Sequence, residues 1–497
     1  MTLVSSHRGW VALLGACAIA ATGFVIVLGS IEVDRTAPGN LHSLWPYWPS
    51  FAALWMGLSA LAWWVAKVPE PRAARRIAGP AACVLVGASA LRISTVLVST
   101  PQLSDDLWRY AHDGHVLGIL HQNPYERPPS QRASPHAPMV NHGELVSIYQ
   151  PTSQWVFAGF SVLAKAADHV RTNLGISPRW WTADVMFRLG FAAIDVLIVA
   201  VLIAALLRRG RSVWWAALYA WHPLAISEVG HSGHQDVIGI LGLVVGLAAV
   251  DAGMPARQKG NEMSPHWRGV RATKEREAWP WAIVAGGAFA LAIGVKPLVA
   301  PVALLLAWAW RRRPLQALGA AGTCVFVLAA LYVPFILMEG GLGPMVQTVR
   351  SFLAHWAFNS SVHALMVSLL GKTPANVVLA LVLGAVLVDA TVRCDPWRAS
   401  LLYLLAALLL SSTVHPWYLL WALALVPIHF SPTAWIFSLT IGWSYAVLDD
   451  PLAWDLPSWV RVVEYAPVFA VMAWGILASR RDELPARHGA SSTCRPA

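Results

Sequence analysis

Long apolar runs recur along nearly the whole chain, at residues 10–29, 51–68, 80–98, 182–207, 213–226, 237–250, 279–295, 297–310, 315–337, 376–392, 399–414, 417–429, 434–448 and 460–478. A helix needs roughly 20 predominantly apolar residues to cross a bilayer, so these runs predict about fourteen crossings, several of them short. With 57% hydrophobic residues, 12% charged residues and mean hydropathy +0.54, the chain has membrane composition. The fold expected is an all-α polytopic bundle forming a single integral membrane domain. The net charge of +10 does not point to nucleic acid, because most Lys and Arg sit in short loops between apolar runs, where they report orientation. Twenty-seven tryptophans suit interfacial belts and sugar-stacking surfaces equally.

The basic loops carry Lys67, Arg72, Arg75 and Arg76, then Arg208, Arg209 and Arg211, the stretch 257–276, Arg311, Arg312 and Arg313, Arg393 and Arg398, and Arg480 and Arg481. All six are cytoplasmic together only if 149–167 does not cross the membrane. That segment has a polar start, Lys165 near its end and aromatics between, so it is expected to lie on the outer surface as an interfacial helix. Both termini are then inside. The gap 99–181 and the loops near His231, Lys296, Arg350 and His415 open on the extracytoplasmic face of the plasma membrane. The chain divides into a two-span extension (1–78), a module carrying the outer loop (79–250), a basic cytoplasmic loop (251–278), a second membrane module (279–480) and a tail (481–497). The cysteines are scattered, with no disulfide or zinc spacing. Cys17 closes a faint lipoprotein-like box, but its apolar run continues, so an uncleaved first span is expected.

One polar stretch stands out in this background: SDDLWRYAHDGHVLGILHQNPY at 104–125. On a helix starting at Ser104, Asp105, Arg109, His112 and Asp113 share one face, and Asp106 and Tyr110 another. A carboxylate there can serve as general base toward a hydroxyl. The plain alternative is a solvated helix start, with Ser104 as N-cap and both aspartates complementing the dipole. Asn123-Pro124 then ends the helix.

Other polar residues interrupt apolar runs at the same expected membrane level. Glu228, His231, His234 and Asp236 lie between two spans, and an acid near a span end is rare without a functional reason. Metal-ligand spacing is absent there, so a hydrogen-bonded cavity rim is expected and no metal or cofactor. Lys296 precedes Pro297 and reads either as a snorkelling anchor or as a point charge for a phosphate. Arg350, His355 and Asn359, and then His415 before Pro416, have the same two readings. Gly371-Lys372-Thr373 is no phosphate loop, because Met366 stands where the first glycine belongs. Without a nucleotide-binding fold, an enzyme here takes a donor already activated and already in the membrane.

In that order, SDDLWRYAHDGHVLGILHQNPY, GHSGHQD, VKP, HWAFNSS and HPWYLLW resemble the bacterial GT-C polyprenyl-phosphate-mannose-dependent mannosyltransferases of the actinobacterial α-mannosyltransferase type, over residues 81–425. The resemblance implies a GT-C-like bundle that transfers a sugar, foremost mannose, from a polyprenyl-phosphate donor to a lipid-linked or cell-envelope glycan acceptor. It further implies inversion by single displacement. By position in the motif it implies Asp105 as first choice for the base and Asp106 as second. For Lys296 and Arg350 it implies contact with the donor phosphate, and for His231, His234 and His415 a lining of the same cavity. Gln150-Pro151 departs from the family, where two prolines often follow an aromatic.

The competing class is a transporter or flippase for a lipid-linked or anionic substrate. Transporters typically show inverted repeats with helices interrupted at the midplane. No internal repeat is evident, and the polar residues collect at one expected level, which favours the enzyme.

Overall fold

The computed structural model describes residues 7–67, 78–175, 182–254 and 275–488. The basic stretches at Arg72, Arg75 and Arg76 and at 257–274 lie outside the described residues, as does Cys494. Among the described residues the chain is all-α, and its one extended pairing is an isolated parallel bridge between Phe358 and Thr413.

Among the described residues seven helices are long and apolar enough to cross a membrane: Gly9–Ser30, Ala78–Val98, Ala183–Arg208, Asp236–Gly253, Pro314–Leu337, Lys372–Arg393 and Ser458–Ala478. This makes the chain a multi-pass membrane protein. Ala278–Ile293 and Pro396–Leu409 are shorter apolar helices. Four of the apolar runs do not form continuous helices. The run at 213–226 breaks into a 3-10 turn Val213–Ala216, two short α turns and a π-helical turn Ile226–His231. His222-Pro223 causes the break, since proline bars its predecessor from helical geometry, and the His222 ring accepts from Leu224 N. Prolines 297 and 416 likewise open 3-10 turns, and the run at 434–448 becomes a helix Pro432–Thr440 followed by a 3-10 segment Ile441–Asp449.

Asp236–Gly253 is the central helix: most of its side chains are buried, whereas few of those of Pro314–Leu337 are. The N-terminal helices are built into the bundle. Trp48 Nε1 donates to Gly442 O at 3.0 Å, Asn40 Nδ2 to Leu448 O at 3.1 Å, and Trp55 Nε1 to Trp435 O at 3.1 Å. Cys17 is buried within the first helix.

Two helices of the polar gap define one end of the bundle. Asp106–Gly118 is the loop helix, and Pro151–Leu174, the segment expected at the interface, packs along it. Gly114 and Gly118 allow the contact. A Cβ on Gly114 would sit 2.3 Å from Phe157 O, and one on Gly118 2.6 Å from Ala158 O. The second helix is pinned at its start by Thr152 N donating to Gly294 O at 3.0 Å, two residues before Lys296. Trp155, Leu163 and Val170 remain exposed along it.

The expectation that charge outside the basic loops gathers at one level needs a correction. Arg92 and Asp195, both fully buried inside spanning helices, pair at 2.8 Å, and Tyr219 OH donates to Asp195 at 2.5 Å. An isolated buried charge is too costly to persist, so each is held by the other. At the end carrying the basic loops, Arg209 bridges Asp251 at 2.8 Å and Asp395 at 3.4 Å, and His429 lies 2.8 Å from Asp395.

Candidate active site

The helix of the polar stretch begins one residue later than Ser104 as cap implies: Asp105 is the N-cap and Ser104 Oγ accepts from Asp106 N at 3.3 Å. The two aspartates then part ways. Asp105 Oδ1 accepts from Asn141 Nδ2 at 2.9 Å, and its Oδ2 lies 3.9 Å from Arg35 Nη1. Asp106 turns toward the bundle, where Tyr110 OH reaches it at 3.5 Å from the next turn and His234 Nδ1 stands 3.9 Å away. Burial, then the charge of Asp105, pushes the Asp106 carboxyl up to about 6, against the hydrogen bond from Tyr149.

Arg109 does not pair with Asp105. Its guanidinium donates to three carbonyls of one loop: Leu145 at 2.9 Å, Asn141 at 3.1 Å and His142 at 2.9 Å. It therefore shapes the loop that holds Asp105. His112 is buried beside Arg109 and Arg132; burial and those charges push its ring down to about 4, so it is neutral. Asp113 accepts from Gln154 at 3.0 Å, clamping the two gap helices.

The π-helical turn Ile226–His231 presents the second group. Such turns reorient side chains and concentrate at functional sites. His234 N donates to Glu228 O at 2.8 Å, and Gly233 takes the left-handed φ of 71° that this return requires. As a result Glu228 and His234 face each other, Nε2 to Oε2 at 3.4 Å. Glu228 Oε1 also accepts from Tyr445 OH at 2.5 Å. His231 turns away, accepting from Gln102 N at 3.1 Å, and so braces the segment leading into the loop helix.

Asp236 opens the central helix, where its charge suits the helix N-terminus. It binds Lys296 Nζ at 2.5 Å and Trp421 Nε1 at 2.7 Å, and the same ammonium lies over the Tyr418 ring at 3.7 Å. His415 belongs to a column of stacked rings: His234 on Trp417 at 3.8 Å, Trp417 on His415 at 4.3 Å, His415 on Phe358 at 4.6 Å.

Asp106, Glu228, His234, Asp236, Lys296 and His415 thus come together around the loop helix. Arg350 and His355 are exposed, and His355 Nδ1 lies 3.0 Å from Ser351 O on its own helix. Asn359 is buried, at φ 51°, and donates to Glu464 at 2.8 Å. Tyr149, Tyr418, Trp421 and Tyr445 complete the cluster. The first three lie beside motifs that sequence alone marks, while nothing local marks Tyr445. Among the described residues no group of three His, Cys, Asp or Glu side chains is placed to hold a metal ion.

No protein family and no curated protein matches this chain. Among solved structures it is similar to ArnT from Cupriavidus metallidurans, solved bound to undecaprenyl phosphate, at 16% identity and TM-score 0.41 over 81% of this chain and 73% of that one.

Proposed function

We propose that this protein is a membrane glycosyltransferase that moves a sugar, foremost mannose, from a polyprenyl-phosphate donor to a glycan or glycolipid acceptor on the extracytoplasmic face. The observation that carries the reading is a base and a cation in one cluster: the Asp106 carboxyl, pushed up to about 6, and the Lys296 ammonium share His234 and Asp236 as neighbours. A base with its titration near neutrality suits proton removal from a hydroxyl. A compact ammonium suits the charge that develops on a phosphate leaving group.

In this mechanism the acceptor oxygen attacks the anomeric carbon as the carbon–phosphate oxygen bond breaks. The bonding pair leaves on polyprenyl phosphate, and the acceptor proton passes to the carboxylate. Asp106 is preferred over Asp105 as that base because Asp105 is engaged by Asn141 and faces Arg35. Arg109 acts as a positioning residue. Arg350 is exposed outside the cluster, and in this reading it reaches the donor's one phosphate from the solvent side.

The test is transfer by the purified protein from polyprenyl-phosphate sugars, offered one at a time with candidate acceptors. Transfer from polyprenyl-phosphate mannose is expected. Transport of an intact lipid-linked substrate without transfer would overturn the reading.

A further inference from the structure

Among the described residues, the buried polar atoms without a hydrogen-bond partner include both ring nitrogens of His234 and Glu228 Oε2. Both side chains are fully buried. Unsatisfied groups at this depth cost stability, and a native chain retains them where they serve a purpose. The two carboxyls stand at opposite nitrogens of the ring. Asp106 Oδ2 lies 3.9 Å from Nδ1, and Nε2 lies 3.4 Å from Glu228 Oε2. The ring is fixed in its plane by Trp417, stacked at 3.8 Å and 15°. Glu228 is fixed by Tyr445 at 2.5 Å and by Ser227 Oγ at 3.4 Å, which leaves Oε2 to the imidazole.

We propose that Asp106, His234 and Glu228 form a proton relay in which His234 takes up the proton that Asp106 removes from the acceptor. This rests on the glycosyltransferase reading and assigns two further residues to that reaction. Glu228 holds the ring in the tautomer protonated on Nε2, which leaves the Nδ1 lone pair toward Asp106, the same logic by which a carboxylate orients the histidine of a hydrolase triad. As the acceptor oxygen bonds to the anomeric carbon, its proton goes to Asp106 Oδ2 and on to Nδ1. Asp106 is again a carboxylate, and the imidazolium is neutralised by Glu228. No oxidant or co-reactant enters, and the electron pair of the broken bond leaves on the phosphate. The 3.9 Å gap is of the kind that closes when substrate binds. Holding the proton on a buried ring keeps it from the new glycosidic oxygen, where it would favour reversal.

The charged and titratable groups facing His234 are Asp106, Glu228, Lys296 and His415. Glu228→Gln takes away the carboxyl that faces Nε2 at 3.4 Å, so an imidazolium loses its counter-charge and the ring becomes harder to protonate. The experiment uses the full-length protein in detergent, with histidine ¹⁵N labelling and transfer assays side by side. His234→Ala is expected to lower turnover about 100-fold with the donor KM unchanged, and added imidazole is expected to restore about tenfold of it through the ring-shaped slot beside Trp417. Glu228→Gln is expected to lower turnover and to move the His234 ¹⁵N titration to lower pH. Should His234→Ala fail to fold, His234→Gln and the Glu228→Gln titration carry the test. An active wild type with no imidazole rescue and an unmoved His234 titration overturns the relay alone. A wild type that transfers from no polyprenyl-phosphate sugar overturns the glycosyltransferase reading, and the relay's role with it.

Discussion

Asn141 Nδ2 donates to Asp105 Oδ1 at 2.9 Å, so two adjacent aspartates of one helix start face different surroundings. The loop that supplies Asn141 is itself held by Arg109. Asp105 is thereby tied to the loop, and Asp106, one residue on, faces the cluster of ionisable groups. Asp106→Asn is expected to abolish transfer, measured as turnover of folded protein. Asp105→Asn is expected to retain it; loss of activity only in Asp105→Asn would reverse the roles.

The same pair sets a pH dependence. A base must be deprotonated to act, and Asp106 titrates at about 6, so kcat/KM should rise with pH through about 6. The Asp105 charge contributes to that raised value. Removing it in Asp105→Asn should therefore move the acid limb to lower pH. An unmoved limb in the pH profile would count against Asp106 as the titrating group.

Lys296 holds Asp236 at 2.5 Å, and Asp236 is buried. Lys296→Ala should weaken donor binding more than acceptor binding, read by titration with polyprenyl-phosphate sugar. It also leaves a buried carboxylate unpaired, a loss on the order of 3–5 kcal/mol for such pairs. Lys296→Ala with Asp236→Asn should recover stability in thermal unfolding without recovering donor affinity.

Gly114 meets backbone, which cannot swing aside as a flexible side chain would. Gly114→Ala should force the two gap helices apart, at about 1–3 kcal/mol for overpacking, and lower both thermal stability and turnover. Gly159 has open space where its Cβ would be, so Gly159→Ala should leave the unfolding temperature unchanged or raised.

The orientation proposed for the gap has a direct check. Ser130 is exposed. A cysteine placed there, in a background with the native cysteines replaced, should be labelled from outside intact cells by a membrane-impermeant maleimide. Protection from the outside would overturn the assignment of the site to the extracytoplasmic face.

Much of the architecture was legible in the chain because membrane insertion is governed by local composition. Run length and apolarity mark the spanning helices, and their ends are met within a few residues at 80–98 and 315–337, observed as Ala78–Val98 and Pro314–Leu337. Four runs defeated that logic. His222-Pro223, Pro297 and Pro416 break the helical hydrogen-bond ladder whatever the hydropathy of their neighbours, and the run at 434–448 tightens into 3-10 geometry.

By itself the sequence determined that the chain is helical, that it is built for a membrane, and that the stretch 104–125 concentrates its polar chemistry. Those properties are sums over neighbouring residues. Only the tertiary structure decided which polar groups meet. Helical periodicity puts Asp105 and Arg109 on one face, yet the guanidinium found more acceptors in the loop at 141–145. Glu228 and Tyr445 stand 217 residues apart in the chain and 2.5 Å apart in space. A carboxylate among apolar helices takes whatever donor the packing brings to it, and that partner is set by the fold rather than by any local pattern.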